Sequence, residues 1–326
     1  MAFDFLSAQA AIEKAILQLE LGEKPVELYE PIHYIMSLGG KRMRPMLVLL
    51  GKYAVSGSWQ ETVPAAIVVE MFHNFTLLHD DVMDKAPLRR GKPTVHVKWN
   101  ENIALLSGDA MLVKTYEHLM NHVPATILPA LLRRFCQTAI QVCEGQQMDM
   151  NFEQLKRVSM EEYLAMIRLK TAVLLGFSLE MGALLGGASS HTIDKLYEFG
   201  IQLGIGFQLK DDMLDVYGEP DKFGKQVGGD IIANKKTYLL IRALEKANAM
   251  QTRELDYWLS VESFDPQTKI DAVKEIYDQL HVQQDAENIM NQYFERGFTT
   301  LAEAGLAPER YETLYCFARS IIEREK

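Results

Sequence analysis

The sequence predicts an all-α fold. Apolar residues recur every three to four positions along most of the 326-residue chain, which is the spacing of one helix face. Clusters of Val, Ile and Thr, the residues that favour strands, are few. The hydrophobic share of 48% and the charged share of 24% are ordinary for a globular chain, so a disordered or collagen-like protein is excluded.

The breaks in the apolar pattern place the helices in order. Gly39-Gly40 separates two of them, Pro64 suits a first turn, and residues 186–190 form a loop. The stretch 218–234 is the one long irregular segment, and such loops are usually functional. No linker or repeat appears, so we predict one domain over residues 1–326. The predicted helices are Ala8–Leu21, Pro31–Leu38, Pro45–Tyr53, Pro64–Met83, Asn102–His122, Thr126–Met148, Met160–Leu185, Thr192–Val216, Lys236–Ala249, Pro266–Leu301 and Pro308–Glu325.

Charge and cysteine content narrow the function. The chain has 44 acidic and 34 basic side chains, a net charge of -10, and no long basic run, which argues against a nucleic-acid partner. Three cysteines without a C-x-x-C pair fit a reducing compartment. No uncharged apolar run reaches the ~18 residues of a membrane span, and the N-terminus lacks a basic start. We expect a cytoplasmic protein with no stable membrane anchor.

Two acidic clusters of the same form carry the strongest chemical signal. Each has the pattern D-D-x-x-D at the end of an apolar helix, where the helix dipole and mutual repulsion disfavour carboxylates. Clusters that contain only carboxylates favour hard cations, above all Mg²⁺ completed by phosphate oxygens. The first cluster is Asp80, Asp81 and Asp84, and the second is Asp211, Asp212 and Asp215.

Basic residues are placed to bind the corresponding anion. The segment 39–45, GGKRMRP, brings Lys41, Arg42 and Arg44 to the start of a helix, where backbone N–H groups also favour anions. Arg89 and Arg90 follow the first cluster within a few residues. Further candidates are Lys170 within a predicted helix and Lys225 and Lys235 beside the irregular stretch. Each alone is an ordinary surface charge, but together with two acidic clusters they suit a diphosphate held between Mg²⁺ and cationic side chains.

The sequence resembles the trans-isoprenyl diphosphate synthases, or polyprenyl synthetases. The matching segments follow the family's order over most of the chain, and the paired aspartate motifs with R-R-G and G-G-K-R-x-R-P are specific. The resemblance implies the all-α isoprenoid synthase fold, with helices around a deep central cavity and usually two subunits. The segments are GGKRMRP (39–45), HNFTLLHDDVMDKAPLRRGKPT (73–94), GQQMD (145–149), MIRLKTAVLL (166–175), GFQLKDDMLDVYG (206–218), FGK (223–225) and GGDIIANKKTYL (228–239).

The resemblance also implies a role for each candidate residue. Three Mg²⁺ ions would bridge the diphosphate of an allylic substrate, which ionises before the double bond of isopentenyl diphosphate attacks. The metal ligands would be Asp80, Asp84 and Asp211, supported by Asp81, Asp212 and Asp215. The allylic diphosphate would be bound by Arg89, Lys170, Lys225 and Lys235, with Thr171 and Gln208 placing oxygen dipoles near the cation. Isopentenyl diphosphate would be bound by Lys41, Arg44, His73 and Arg90.

Phe75 and Thr76 are the candidates for product length. Thr76 lies one helical turn before Asp80 and within about 40° of it on the wheel, so it faces the growing tail, whereas Phe75 is about 140° away. In the family a bulky residue five positions before the first aspartate stops elongation, and the Phe75-Thr76 pair resembles short-chain enzymes of archaeal type that make geranylgeranyl diphosphate. Phe75 as an ordinary core residue is the competing interpretation.

The sequence is compatible with more than one product and more than one function. The C20 product geranylgeranyl diphosphate is the first expectation, followed by C15 farnesyl diphosphate or a longer chain. A terpene cyclase shares the fold but usually lacks a full second aspartate motif and needs no second diphosphate site. A non-catalytic partner subunit would tend to lose carboxylates, and none is missing here.

Overall fold

The structure is a computed structural model, it describes residues 2–218 and 228–323, and it confirms the all-α prediction. The described residues include one antiparallel two-stranded ribbon, β1 (Leu88–Arg89) with β2 (Lys92–Pro93). The helices are α1 (Phe5–Leu17), α2 (Val26–Ser37), α3 (Met43–Ser56), α4 (Val63–Met83), α5 (Val95–Lys98), α6 (Glu101–His122), α7 (Leu128–Gln154), α8 (Met160–Ile167), α9 (Val173–Leu185), α10 (Ser190–Tyr217), α11 (Gly229–Ile232), α12 (Tyr238–Lys246), α13 (Ala249–Ser260), α14 (Pro266–Gln279), α15 (Val282–Ala302) and α16 (Pro308–Glu323). A 3₁₀ turn spans Gln60–Thr62, and Arg168–Ala172 is π-helical.

Backbone contacts divide the chain into two compact units, and the prediction of a single domain stays a prediction. The first unit comprises Met1–Ala139, Leu174–Gly200 and Thr300–Phe317. The second comprises Ile140–Val173, Ile201–Thr299 and Ala318–Lys326. The first aspartate motif belongs to the first unit and the second motif to the second unit.

The core of the first unit is built around α4. Four consecutive residues of this helix, Ala66 to Val69, are fully buried, as expected of a helix surrounded by neighbours. Close packing of α3 against α9 depends on glycine, because a Cβ at Gly182 would lie 2.1 Å from the carbonyl oxygen of Val48. The aspartate motif at the end of α4 therefore projects from a rigid helix.

The core of the second unit surrounds the C-terminal half of α10. Leu209 and Val216 are buried on this helix, and Leu239 on α12 and Tyr277 on α14 are buried as well. The aromatic ring of Phe294 in α15 fits against Gly206, where a Cβ would lie 2.4 Å from it. The second aspartate motif is thus also carried by a packed helix.

Some predicted helix bounds need correction. The helix predicted to begin at Pro31 begins at Val26, after Pro25, and Pro31 lies inside it. The predicted helix Pro266–Leu301 is two helices, because Leu280 ends the first and His281 has the left-handed φ of 54°. The helix α13 was not predicted. No helix in the ranges 2–218 and 228–323 combines the length and apolar character that a bilayer crossing requires.

Candidate active site

The loop before α3 has a backbone that only a few residue types adopt readily. Gly39, Gly40 and Arg42 have φ values of 79°, 137° and 48°. The guanidinium of Arg90 donates to the carbonyl oxygen of Gly39. A side chain at Gly40 would collide with this guanidinium, because a Cβ on Gly40 would lie 2.8 Å from Nη2 of Arg90. The missing side chain of Gly40 thus allows Arg90 to approach the loop.

Arg42 anchors this loop from the inside. It is 3% exposed, and its guanidinium donates to Glu13 at 3.0 Å, to Glu70 at 2.7 Å and to the carbonyl oxygen of Met36 at 3.0 Å. Glu70 is itself buried in α4 and accepts from the side chain of Asn74 at 3.3 Å. Since its donors are used within the protein, Arg42 positions the loop rather than binding a ligand.

The remaining cations of this region lie close enough to affect each other. Burial, and then the charges of Arg44 and Arg90, hold the pKa of His73 well below its usual range, so this side chain is neutral at pH 7. Burial lowers the pKa of Arg44 to about 10, and its Nε has no hydrogen-bond partner within the described residues. A bound anion would offset the burial of the Arg44 charge and would accept a hydrogen bond from its Nε. Lys41 is exposed on the same loop.

The first aspartate motif ends α4, and its three members differ in environment. Asp81 is 1% exposed and accepts a bidentate pair from Arg89, at 2.8 Å and 2.9 Å from Nε and 2.6 Å from Nη2. Asp80 is half-buried and Asp84 is exposed. The β1–β2 turn, whose central residues Arg90 and Gly91 both have positive φ, directs Arg89 to Asp81.

Phe75 belongs to an aromatic cluster one turn behind the first motif. It is 8% exposed, and its ring centroid lies 5.7 Å from that of Phe72 and 4.9 Å from that of His79. His79 in turn fits against Gly108 of α6. The hydroxyl of Thr76 donates to the carbonyl oxygen of His73 at 2.8 Å, so its polarity is satisfied within α4. Phe75 is therefore a core residue at the place where the sequence resemblance puts the end of the product chain.

The second aspartate motif contains one deeply buried carboxylate. Asp212 is 5% exposed and accepts from the hydroxyl of Tyr163 at 2.6 Å and from the amide of Gln208 at 3.0 Å. Burial, and to a smaller extent the charge of Asp211, raises the pKa of Asp212. Asp211 is half-buried.

Asp215 connects the second motif to a segment that we call the lysine segment, residues 229–237. Its side chain accepts from the backbone N–H of Asp230 at 2.9 Å, and its carbonyl oxygen accepts from Gly228 at 2.6 Å. Burial and the charges of Asp212 and Asp215 raise the pKa of Asp230. Lys235 is half-exposed, with Nζ 3.9 Å from Asp230. The predicted ligand Lys225 lies outside the described residues.

Lys170 and Thr171 lie in the π-helical segment Arg168–Ala172, a distortion often found at functional sites. The ammonium of Lys170 pairs with Asp149 at 2.5 Å. The hydroxyl of Thr171 donates to the amide oxygen of Gln208 at 3.2 Å. The segment also runs close to Gly145, where a Cβ would lie 2.3 Å from the backbone nitrogen of Lys170.

These second-unit residues line one cavity of about 210 Å³. The cavity combines carboxylates with lysines and a few dipolar side chains, which is the composition needed to bind a polyanion through bridging cations. Its lining residues are Asp149, Tyr163, Met166, Ile167, Lys170, Thr171, Gln208, Asp211, Asp212, Asp215, Asp230, Lys235, Lys236 and Thr237.

The donor set of this cavity fits a hard divalent cation. Among the described residues, no three His, Cys, Asp or Glu side chains already form a closed metal cage. Neighbouring carboxylates nevertheless contribute to the raised pKa of Asp212 and of Asp230, and a bound cation would reduce that repulsion. Oxygen ligands without His or Cys, together with open positions for phosphate, suit Mg²⁺ better than zinc.

Sequence reasoning missed several side chains that hold the candidate residues. Glu70, Tyr163 and Asp149 are the partners of Arg42, Asp212 and Lys170. Glu70 is the one charged residue in the apolar run 63–78, which is a signal for a buried partner. Tyr163 carries no comparable signal, because aromatic residues are common on buried helix faces.

Comparisons with known proteins agree on one family. The family model described as polyprenyl synthetase matches residues 25–280. A geranylgeranyl diphosphate synthase from Methanosarcina mazei is 42% identical over 237 residues, which are 72% of this chain and 73% of that protein. A geranylfarnesyl diphosphate synthase from Natronomonas pharaonis is 34% identical over 69% of this chain and 71% of its own. A crystal structure of a geranylgeranyl pyrophosphate synthase superposes with a TM-score of 0.94 at 40% identity and covers 99% and 100% of the two chains.

The chain belongs to the polyprenyl synthetase family, and its fold is the all-α isoprenoid synthase fold. The family consists of trans-prenyltransferases, which join allylic diphosphates to isopentenyl diphosphate and use Mg²⁺ in catalysis. The resemblance found in the sequence is therefore confirmed.

Proposed function

We propose that the protein is a chain-elongating prenyltransferase that condenses isopentenyl diphosphate with allylic diphosphates and makes geranylgeranyl diphosphate as its main product. The observation that carries the proposal is the cavity of the second unit, where an aspartate motif and lysines meet in a family of known activity. Relatives at 37–42% identity named geranylgeranyl diphosphate synthase support the C20 product.

Asp80, Asp84 and Asp211 would hold three Mg²⁺ ions on the allylic diphosphate. When bound, the metal supplies Lewis acidity and charge neutralisation for the departing diphosphate. Asp81 and Asp212 keep their neighbours in place, since each is tied to protein donors, Arg89 for Asp81 and Tyr163 for Asp212.

The cationic side chains would bind the same diphosphate directly. Lys170 is held by Asp149 at the cavity wall, and Lys235 is held loosely by Asp230, so both can exchange a carboxylate for a phosphate oxygen. We propose the same role for Lys225 and for Arg89, whose guanidinium is oriented by Asp81. The oxygens of Thr171 and Gln208 would stabilise the allylic cation as the carbon–oxygen bond breaks.

Isopentenyl diphosphate would bind to Lys41, Arg44, His73 and Arg90. The Nε of Arg44 is buried and has no hydrogen-bond partner among the described residues. His73 is neutral at pH 7, so one ring N–H can donate to a phosphate oxygen. The double bond attacks the allylic cation, a new carbon–carbon bond forms, and the proton lost from the adjacent carbon goes to the departing diphosphate. Within this mechanism no protein nucleophile is needed.

We also propose that two copies of the chain form a homodimer through α6. Three large apolar residues recur every seven positions on this helix and share one face. Leu106, Val113 and Met120 are 61%, 68% and 51% exposed. Exposed large apolar residues on one helix face are typical of an interface, and a second copy offers the same face in return.

A product assay tests the proposed function. The purified protein is incubated with Mg²⁺, isopentenyl diphosphate and dimethylallyl, geranyl or farnesyl diphosphate, and the extracted products are sized. We expect C20 from all three primers. A separate incubation contains Mg²⁺ and geranylgeranyl diphosphate alone, and a cyclic hydrocarbon formed there would indicate a terpene cyclase. No turnover in any incubation would indicate a non-catalytic subunit.

Substitution of the aspartates tests the metal assignment. Asp80→Ala and Asp211→Ala should each lower kcat by about 100-fold or more, because charge neutralisation of the leaving group is lost. Their circular dichroism should match that of the wild type. Asp271→Ala, which removes an exposed aspartate of α14, is the control and should keep full activity. Full activity of either motif variant would contradict the assignment.

A further inference from the structure

Lys269 is a buried lysine that the proposed mechanism does not use. It lies in the first turns of α14 and is 1% exposed. Its ammonium donates to the side-chain oxygen of Asn234 at 2.6 Å and to the carbonyl oxygen of Ile232 at 3.3 Å. The ammonium also lies 4.3 Å from the ring centroid of Phe264. Within the described residues its partners are therefore all neutral, and these contacts must compensate for the water that the charge has lost.

Both hydrogen-bond acceptors of Lys269 belong to the lysine segment. Ile232 ends α11, and Asn234 follows in the left-handed conformation with a φ of 55°. The side-chain amide of Asn234 donates to the carbonyl oxygen of Leu259 at 3.2 Å. Lys269 thus holds the residues that lead directly into Lys235.

The opposite side of the same segment faces the cavity. The backbone of Asp230 donates to Asp215 at 2.9 Å, and the backbone of Lys235 donates to the carbonyl oxygen of Asp230 at 3.0 Å. A second, very small cavity is lined by Lys269 and also by Asp230, Lys235 and Thr237, all three of which line the 210 Å³ cavity as well. One layer of chain separates Lys269 from the candidate active site.

We propose that Lys269 is a positioning residue for diphosphate recognition: its buried ammonium fixes the lysine segment so that Asp230 and Lys235 are presented to the allylic diphosphate and its metal. This inference rests on the proposed function. It assigns a role to a residue of α14, a helix that contributes none of the residues lining the 210 Å³ cavity.

Three variants separate positioning from general stability. Lys269→Met keeps the length of the side chain and removes its donors. Asn234→Gly keeps the left-handed backbone, which glycine adopts freely, and removes the acceptor. Lys274→Met is the matched control, because Lys274 also lies in α14 with its ammonium over a ring, that of Tyr217 at 5.0 Å.

The readouts are the KM values of the two substrates and the affinity for inorganic pyrophosphate with Mg²⁺, measured by calorimetry. For Lys269→Met and Asn234→Gly we expect about a tenfold rise in the KM of the allylic substrate and about a tenfold weaker pyrophosphate affinity, the scale of one hydrogen bond to a charged group. The KM of isopentenyl diphosphate should change less than about twofold. The effect of the double variant should be smaller than the sum of the two single effects, since both variants lose the Lys269–Asn234 contact.

The outcomes decide the inference separately from the proposed function. An allylic KM and a pyrophosphate affinity of wild-type size in Lys269→Met would overturn it, as would an equal rise of both KM values. If Lys269→Met does not fold, Asn234→Gly alone decides by the same criteria. A wild-type protein that binds pyrophosphate but forms no prenyl product would refute the proposed function, while the pyrophosphate affinities of the variants would still test Lys269.

Discussion

The second aspartate of each motif is held differently from the first. Asp81 and Asp212 are 1% and 5% exposed, and each accepts hydrogen bonds from protein side chains. Asp80 and Asp211 are half-buried. The identical D-D-x-x-D patterns could not reveal this division, because it depends on Arg89 and Tyr163, residues that arrive from other elements.

Phe75→Ala should lengthen the product. The ring is 8% exposed and packs against Phe72 and His79, so its removal opens space within the cluster rather than at the surface. We expect the tail of the growing product to enter this space, so that one or more additional C5 units fit before growth stops. Chromatography of the extracted products should show chains beyond C20.

A matched control distinguishes product length from damage to the core. Phe3 is 9% exposed and packs against Tyr53 and Trp59, so Phe3→Ala should cost a similar free energy of unfolding, on the order of 3 kcal/mol. Its product should remain C20. An unchanged product from Phe75→Ala would leave Phe75 as a core residue only.

At the scale of elements, periodicity predicted the long helices, and local backbone chemistry decided the rest. The helices around both aspartate motifs were predicted within a few residues because one apolar face repeats over many turns. The polar helix α13 buries only Leu255 among its described residues, so its period is weak, although the capping box of Asn248 and Gln251 marked its start. The break at His281 could not be predicted, because it contains neither Gly nor Pro. The π-helical segment could not be predicted either, because it only adds a single residue to one helical turn.

Glu180 makes the stability of α9 depend on pH. It is the one charged residue of this helix, it is 2% exposed, and Arg134 lies 3.1 Å away. Burial, only partly offset by Arg134, raises the pKa of Glu180 from 4.5 to about 7. The folded protein therefore binds this proton more tightly than the unfolded chain, and the free energy of unfolding falls as the pH rises from about 4.5 to about 7.

Glu180→Gln should remove this dependence. The free energy of unfolding of the variant relative to wild type should increase by about 3 kcal/mol between pH 4 and pH 8, the equivalent of about 2.5 pKa units. Urea denaturation across this range measures it. Arg134→Met should instead move the decline of stability to higher pH, because the opposing charge is gone. Parallel pH curves for Glu180→Gln and wild type would show that Glu180 does not titrate differently on folding.

At the scale of the whole molecule, the sequence predicted the fold class and the family, but not how the functional residues are supported. Two aspartate motifs about 130 residues apart lie in different compact units, and each is stabilised by its own set of buried partners. Glu70, Tyr163 and Lys269 are long-range partners, so no local pattern identifies them. The candidate residues that could be predicted are those whose motif is contiguous in the chain.

The exposed apolar face of α6 gives the prediction for the assembled protein. Val113 lies at its centre and is 68% exposed, so Val113→Glu leaves the isolated subunit intact but places a charge opposite its own copy in a twofold interface. Sedimentation velocity should show a dimer for wild type and a monomer for Val113→Glu at the same concentration. Met250→Glu changes an equally exposed apolar residue of α13, 76% exposed, and should remain dimeric. A wild-type monomer, or a dimer of Val113→Glu with unchanged affinity, would show that α6 is not the interface, because a buried unpaired carboxylate on both partners is incompatible with close apolar packing.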